Sequence, residues 1–155
     1  MSFEAVRAAL FDFHQEEATE AGIRTVYKTW PTSYPTELPA LLLRRGAGQA
    51  IRRDGFTVKG SFWHPTILYV EADERSRAFA EEQLIAILDA LIPAYFALDS
   101  YVLLTPGNEC EYATILLDGS GEQAGLNYTE VIIEKFLAKE YYQSELTLYV
   151  EEWVS

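Results

Sequence analysis

Catalysis needs side chains that move protons, attack carbon or phosphorus, or ligate metal, and this chain offers two histidines and one cysteine for such work. His14 stands among Asp12, Glu16 and Glu17, a spacing that suits a solvated helix face as well as any site, and no HEXXH pattern surrounds it. His64 lies in Phe62-Trp63-His64-Pro65, where the aromatic neighbours and the following proline point to the entry of a strand. Neither histidine has an obvious partner in sequence. Cys110 is flanked by Glu109 and Glu111, whose negative charge disfavours the thiolate that a nucleophile requires. The glycine loops Gly46-Ala47-Gly48 and Gly119-Ser120-Gly121 lack the following Lys-Ser/Thr or helix start that cradles a phosphate, so both read as turns. Glu16-Glu17, Glu81-Glu82 and Glu151-Glu152 are adjacent pairs, which split across faces instead of converging on one bond. These residues predict a non-enzymatic protein with no catalytic site, cofactor or metal.

The elements that carry these residues form one domain over residues 1–155, since the length leaves no room for a second. With 49% hydrophobic and 23% charged residues the composition is that of a globular core. Phe3, Val6, Leu10 and Phe13 recur at helical spacing from Ser2 to about Ala21, with Gly22 placed to end the helix. Asp12, Gln15, Glu16, Glu17 and Glu20 fall on its solvated side. Strands are predicted at 23–30 and 40–45, separated by a connection punctuated by Pro31, Pro35 and Pro39 that admits neither helix nor ladder. Residues 49–53 and 56–59 flank Asp54-Gly55 and read as a hairpin that projects as an arm. Residues 66–71 form a buried strand, and Asp73 is expected to cap a long helix with Phe79, Leu84, Leu88, Leu91 and Tyr95 on one side. Pro93 should bend or restart that helix. Strands follow at 101–105, 112–117 and 146–153, while 129–138 is ambiguous and leans to strand. The sum is an α+β fold, with two helices packed on one face of a mixed, mostly antiparallel sheet with a projecting β-hairpin arm.

Charge is the most informative feature. The 12 basic and 24 acidic residues give a net charge of -12, the wrong sign for gripping nucleic acid or an anionic membrane. One cysteine excludes an intrachain disulfide framework, and the sequence shows neither an 18-residue apolar run nor a signal-peptide pattern. Within this acidic chain Arg44, Arg45, Arg52, Arg53 and Lys59 face only Asp54 over residues 44–59, a local balance of +4. Residues 99–155 hold eleven acids against Lys135 and Lys139, a balance of -9. The segregation allows one subunit's arm to attract its neighbour's sheet, a head-to-tail contact that makes rings when its rotation closes. Arg44, Arg45, Arg52, Arg53 and Lys59 are therefore the candidate subunit-interface residues. A solvated hairpin beside a solvated sheet accounts for the same charges equally well.

In layout the chain resembles the tail-terminator proteins of long-tailed, siphovirus-type phages. The resemblance runs through Phe3-Glu4-Ala5-Val6-Arg7, then Val26-Tyr27-Lys28-Thr29-Trp30-Pro31-Thr32-Ser33-Tyr34-Pro35 and Leu38-Pro39-Ala40-Leu41-Leu42-Leu43. It continues through the helix around Gln83 to Leu91 and the closing Leu146-Thr147-Leu148-Tyr149-Val150-Glu151-Glu152-Trp153. It implies a virion structural protein at the head-proximal end of the tail, assembled in the host cytoplasm. As such it would form a homo-oligomeric ring, usually a hexamer, that caps the tail tube, stops elongation and joins the head-tail connector. DNA would pass through the lumen without specific binding, and an acidic lumen would repel its phosphates. Other connector proteins of the stopper or tail-completion type share this size and acidity. An acidic immunity or antitoxin-like binder, covering a basic toxin, and a small enzyme are the rivals from other classes.

Overall fold

In the computed structural model the described residues are 3–44, 48–53, 57–72, 74–97, 102–104, 112–115 and 125–154, with side chains described at 6–44, 69–70, 74–97 and 125–150. Two helices, α1 (Phe3–Ala21) and α2 (Arg77–Phe96), pack on one face of a mixed sheet. In chain order its strands are β1 (Thr25–Tyr27), β2 (Ala40–Leu43), β3 (Gly48–Arg53), β4 (Thr57–Ala72), β5 (Val102–Leu104), β6 (Tyr112–Ile115), β7 (Asn127–Tyr128), β8 (Ile132–Phe136) and β9 (Lys139–Val154). The central path runs β1-β2-β4-β9-β6-β5, with β3 also on β4, and β7 and β8 also on β9. Among the described residues only β1 and β2 pair in parallel.

The sheet is organised by β4 and β9, each 16 residues long and therefore spanning about 50 Å. The 20 residues of α2 span only about 30 Å, so the long strands must run past the helical layer. The hairpin β3–β4 lies on this overhang, paired from Gly48↔Phe62 to Arg53↔Thr57. It is broader than a lone two-stranded arm, because the end of β9 accompanies it through Val58↔Val154 and β6 pairs outside β9. Strands read separately at 56–59 and 66–71 are one continuous β4 through His64-Pro65. Proline is tolerated there because Pro65 falls between the β3 and β2 pairings, where among the described residues no strand pairs with it on that side.

Local signals explain the helix ends. Gly22, at φ 79, turns the chain out of α1; Ile23 N donates to Ala18 O at 2.8 Å and Gly22 N to Thr19 O at 3.3 Å. This is the Schellman pattern, and Ala18 and Ile23 are both buried in the main core beside it. The cap of α2 is Ser76, whose Oγ accepts from Phe79 N at 3.2 Å, and not Asp73, which lies outside the described residues. The helix continues through Pro93 to Phe96 without restarting. Pro93 sits in the last turn and is exposed, so few hydrogen bonds remain to be lost beyond it. No helix among the described residues is long and apolar enough to cross a membrane.

The principal core lies between the helices and the sheet: Val6 and Leu10 of α1 and Leu84, Ile87 and Leu91 of α2 meet Leu41, Val70, Leu146, Leu148 and Val150. Strand alternation sends Ala40, Leu42, Tyr69 and Tyr141 to the opposite face, where they form a second small cluster with Phe136. Residues 129–138, ambiguous in sequence, contain β8. Between β7 and β8 three residues of one chain segment oppose two of β9, since Tyr128 pairs with Leu146 and Ile132 with Gln143. The extra residue tucks Val131 into the main core, and Ser144 Oγ donates to Thr129 O at 2.7 Å while Thr129 Oγ1 accepts from Glu145 N at 3.0 Å.

The β8–β9 hairpin turns on Leu137 and Ala138, at φ 48 and 73. A two-residue turn of this hand demands positive φ at both positions, which costs L-residues roughly 1–2 kcal/mol each and is normally met by Asn-Gly. Replacing Leu137→Asn together with Ala138→Gly is accordingly expected to raise unfolding stability by about 1–2 kcal/mol after the entropy lost to glycine. The midpoint of urea unfolding reads it, and an unchanged or lowered midpoint refutes the strain argument.

Candidate functional site

The sheet face away from the helices is only partly covered. The connection after β1 folds across it, fixed by Tyr141 Oη donating to Pro35 O at 3.0 Å and by Tyr34 Oη donating to Leu137 O. Tyr69 packs edge-on to Phe136 and to Tyr141, at ring distances of 5.7 and 5.5 Å. Burial pushes the Tyr69 hydroxyl up to about 12, with the Arg44 charge pulling the other way and Tyr141 adding to the rise. Over these rings lies Trp30, stacked on Phe136 at 6.0 Å and 56% exposed. Leu137, 54% exposed, and Tyr34, 42% exposed, continue the apolar surface around the hairpin.

Two cations rest on this aromatic surface. The Arg44 guanidinium lies 5.4 Å from the Trp30 ring centre, and Lys139 Nζ lies 5.6 Å from Tyr141 and 6.0 Å from Tyr34. Both are held by ring faces and, among the described residues, neither forms an ion pair. Beside Trp30 and Arg44 opens a shallow cleft of about 290 Å³, floored by Tyr69, Gln143 and Ser144 and walled by Ile132, Glu134, Lys135 and Glu145. The chemistry gathered here is flat rings, two cations and a mixed-charge rim, which can stack on apolar groups and pair with anions.

Of the predicted interface residues, Arg44 belongs to this surface. Arg45 lies outside the described residues. Arg52 and Arg53 occupy the outer end of β3, and Lys59 stands on β4 opposite Ile51 and Trp153. The sheet thus brings the basic hairpin alongside the acidic end of β9 in the same chain. Even so, the rows do not match opposite charges: Glu151 stands in the row of Ser61 and Gln49, Glu152 in that of Gly60 and Ala50, and Arg52 in that of Val58 and Val154.

His14 corrects the sequence reading. It is wholly buried between the helices, not on the solvated side of α1, and its partner is Tyr95, 81 residues away. Its Nδ1 and Nε2 lie 2.7 Å from Leu10 O and from Tyr95 Oη. A carbonyl can only accept, so Nδ1–H donates to Leu10 O and Nε2 accepts the Tyr95 hydroxyl proton. Burial drives His14 down to about 4, with the Leu10 hydrogen bond opposing, and raises Tyr95. The neutral pair joins α1 to α2 inside the core; it has no route to a substrate. His64 sits in β4 in register with Leu148, and Cys110 and Gly119 to Gly121 lie outside the described residues. Among the described residues no cluster of His, Cys, Asp and Glu is disposed to hold a metal. The Trp30–Arg44 surface escaped the sequence reading because its parts are more than ten residues apart and joined by the connection between β1 and β2; the only signal was a tryptophan just before a proline-rich segment. No family model matches the chain, and no curated protein matches it either.

Proposed function

We propose that the chain is a structural subunit of a phage tail terminator: a ring, sixfold in the form the resemblance implies, that caps the tail tube and meets the head connector. The observation that carries this reading is the open sheet face, where exposed Trp30, Tyr34 and Leu137 adjoin Arg44 and Lys139 in a chain of net charge -12. Contiguous apolar surface rimmed by charge is the mark of a protein contact, and stacked rings with arginine are what such contacts favour. The overhanging β3–β4 hairpin supplies reach toward a neighbour, and the acidity suits a lumen along which DNA must slide. Negative-stain images of the protein incubated with tail tubes test the proposal. A closed ring at one tube end is expected; tubes left bare, or decorated along their sides, overturn it.

A further inference from the structure

We infer that the open sheet face receives a second copy of this chain, docked through the carboxylate row Asp12, Glu16 and Glu20 of its α1 onto Arg44 and Lys139. The inference rests on the reading that the chain assembles with itself and adds which surfaces meet.

Three features lead to it. The cations rest on ring faces instead of carboxylates and keep their full charge, and a guanidinium over Trp30 can still offer N–H groups for a paired bond to a carboxylate. The cleft's own acids, Glu134 and Glu145, leave these two cations without an ion pair among the described residues. Across the molecule, Asp12, Glu16 and Glu20 are exposed at successive i, i+4 positions on α1, opposite the buried stripe Val6, Leu10, His14 and Ala18. They too lack a cation among the described residues. The row extends about 12 Å along the helix. Arg44 lies over Trp30, whose ring stacks on Phe136 at 6.0 Å, and Lys139 lies over Tyr141 and Tyr34 on the same face. The methylene stems of the glutamates can lie on Trp30 and Leu137 while their carboxylates reach the cations. Because donor and acceptor surfaces lie on opposite sides of a two-layer subunit, each copy can bind one neighbour in front and one behind, the head-to-tail geometry that closes into rings.

Charge exchange tests the inference. One variant carries Asp12→Lys, Glu16→Lys and Glu20→Lys; the other carries Arg44→Glu and Lys139→Glu. Sedimentation velocity over a concentration series, with circular dichroism of each variant, should show either variant alone associating at least roughly tenfold more weakly than wild type. An equimolar mixture should regain wild-type association, and native mass spectrometry should find the two variants in equal numbers, since every interface then joins opposite charges. The neutral variant Asp12→Asn, Glu16→Gln, Glu20→Gln keeps the helix and should weaken association in the same direction. Either reversal assembling as wild type does, or a mixture that stays apart, overturns this docking while leaving self-assembly standing. A wild-type chain that stays monomeric both free and on tail tubes overturns self-assembly and the docking together.

Discussion

Lowering the pH from 7 to 4 is expected to cost the fold about 3 kcal/mol through His14 alone. The histidine is neutral and enclosed between α1 and α2, and its pKa falls from 6.5 to about 4 because burial penalises the imidazolium. The unfolded chain binds a proton as pH drops through 6.5, whereas the folded chain resists until about 4. The stabilisation is therefore complete above 6.5 and is lost progressively between 6.5 and 4. Against a total of roughly 5–15 kcal/mol that loss is large. Tyr95→Phe alone should cost about 1–3 kcal/mol at pH 7, because His14 Nε2 then has no donor inside the core. His14→Leu with Tyr95→Phe removes both polar partners; it should be far milder at pH 7 than either loss taken separately and should flatten the dependence between pH 4 and 6.5. Urea unfolding at several pH values measures this, and equal slopes for wild type and double variant would remove His14 as the acid-sensitive group.

How much of this was legible in sequence depended on distance along the chain. Gly22 ends α1 as read because the Schellman turn is local: its hydrogen bonds reach back only to Ala18 and Thr19. The α+β class and the helical face Leu84, Leu91 and Tyr95 were legible because a periodic apolar stripe reports burial directly. His14 was misread because helical periodicity ranks a histidine as polar, and its partner Tyr95 belongs to another helix. The aromatic face failed for the same reason: Trp30, Arg44, Phe136 and Tyr141 meet only through tertiary packing. The merging of two expected strands into β4 shows a milder limit, since Pro65 is a stop signal unless the pairing on one side happens to skip it.

If the chain assembles as proposed, reversing Arg52→Glu and Arg53→Glu is expected to leave the subunit folded and still associating through its open face, while rings fail to close. The two residues lie at the outer end of β3, while the described main core is built mainly from the helices and from β2, β4 and β9. Their rows, Arg52 with Val58 and Val154, and Arg53 with Thr57, contain no acidic residue, so the cation-bearing end is not neutralised directly opposite within its own chain. Strand β3 pairs only with β4 among the described residues, which leaves its outer edge available to a neighbour. Arginine on such an edge also discourages unspecific strand pairing, so its reversal to glutamate preserves that protection while inverting attraction for an acidic partner. A desolvated arginine–carboxylate pair loses about 2–5 kcal/mol when one member is removed, against about 0–1 kcal/mol for a solvated one. The difference separates an interface arm from a solvated hairpin. Circular dichroism should report an unchanged fold, and images of complemented phage particles should show tails of uncontrolled length or without heads. Normal tails from the double variant would show that Arg52 and Arg53 protect an edge and join nothing.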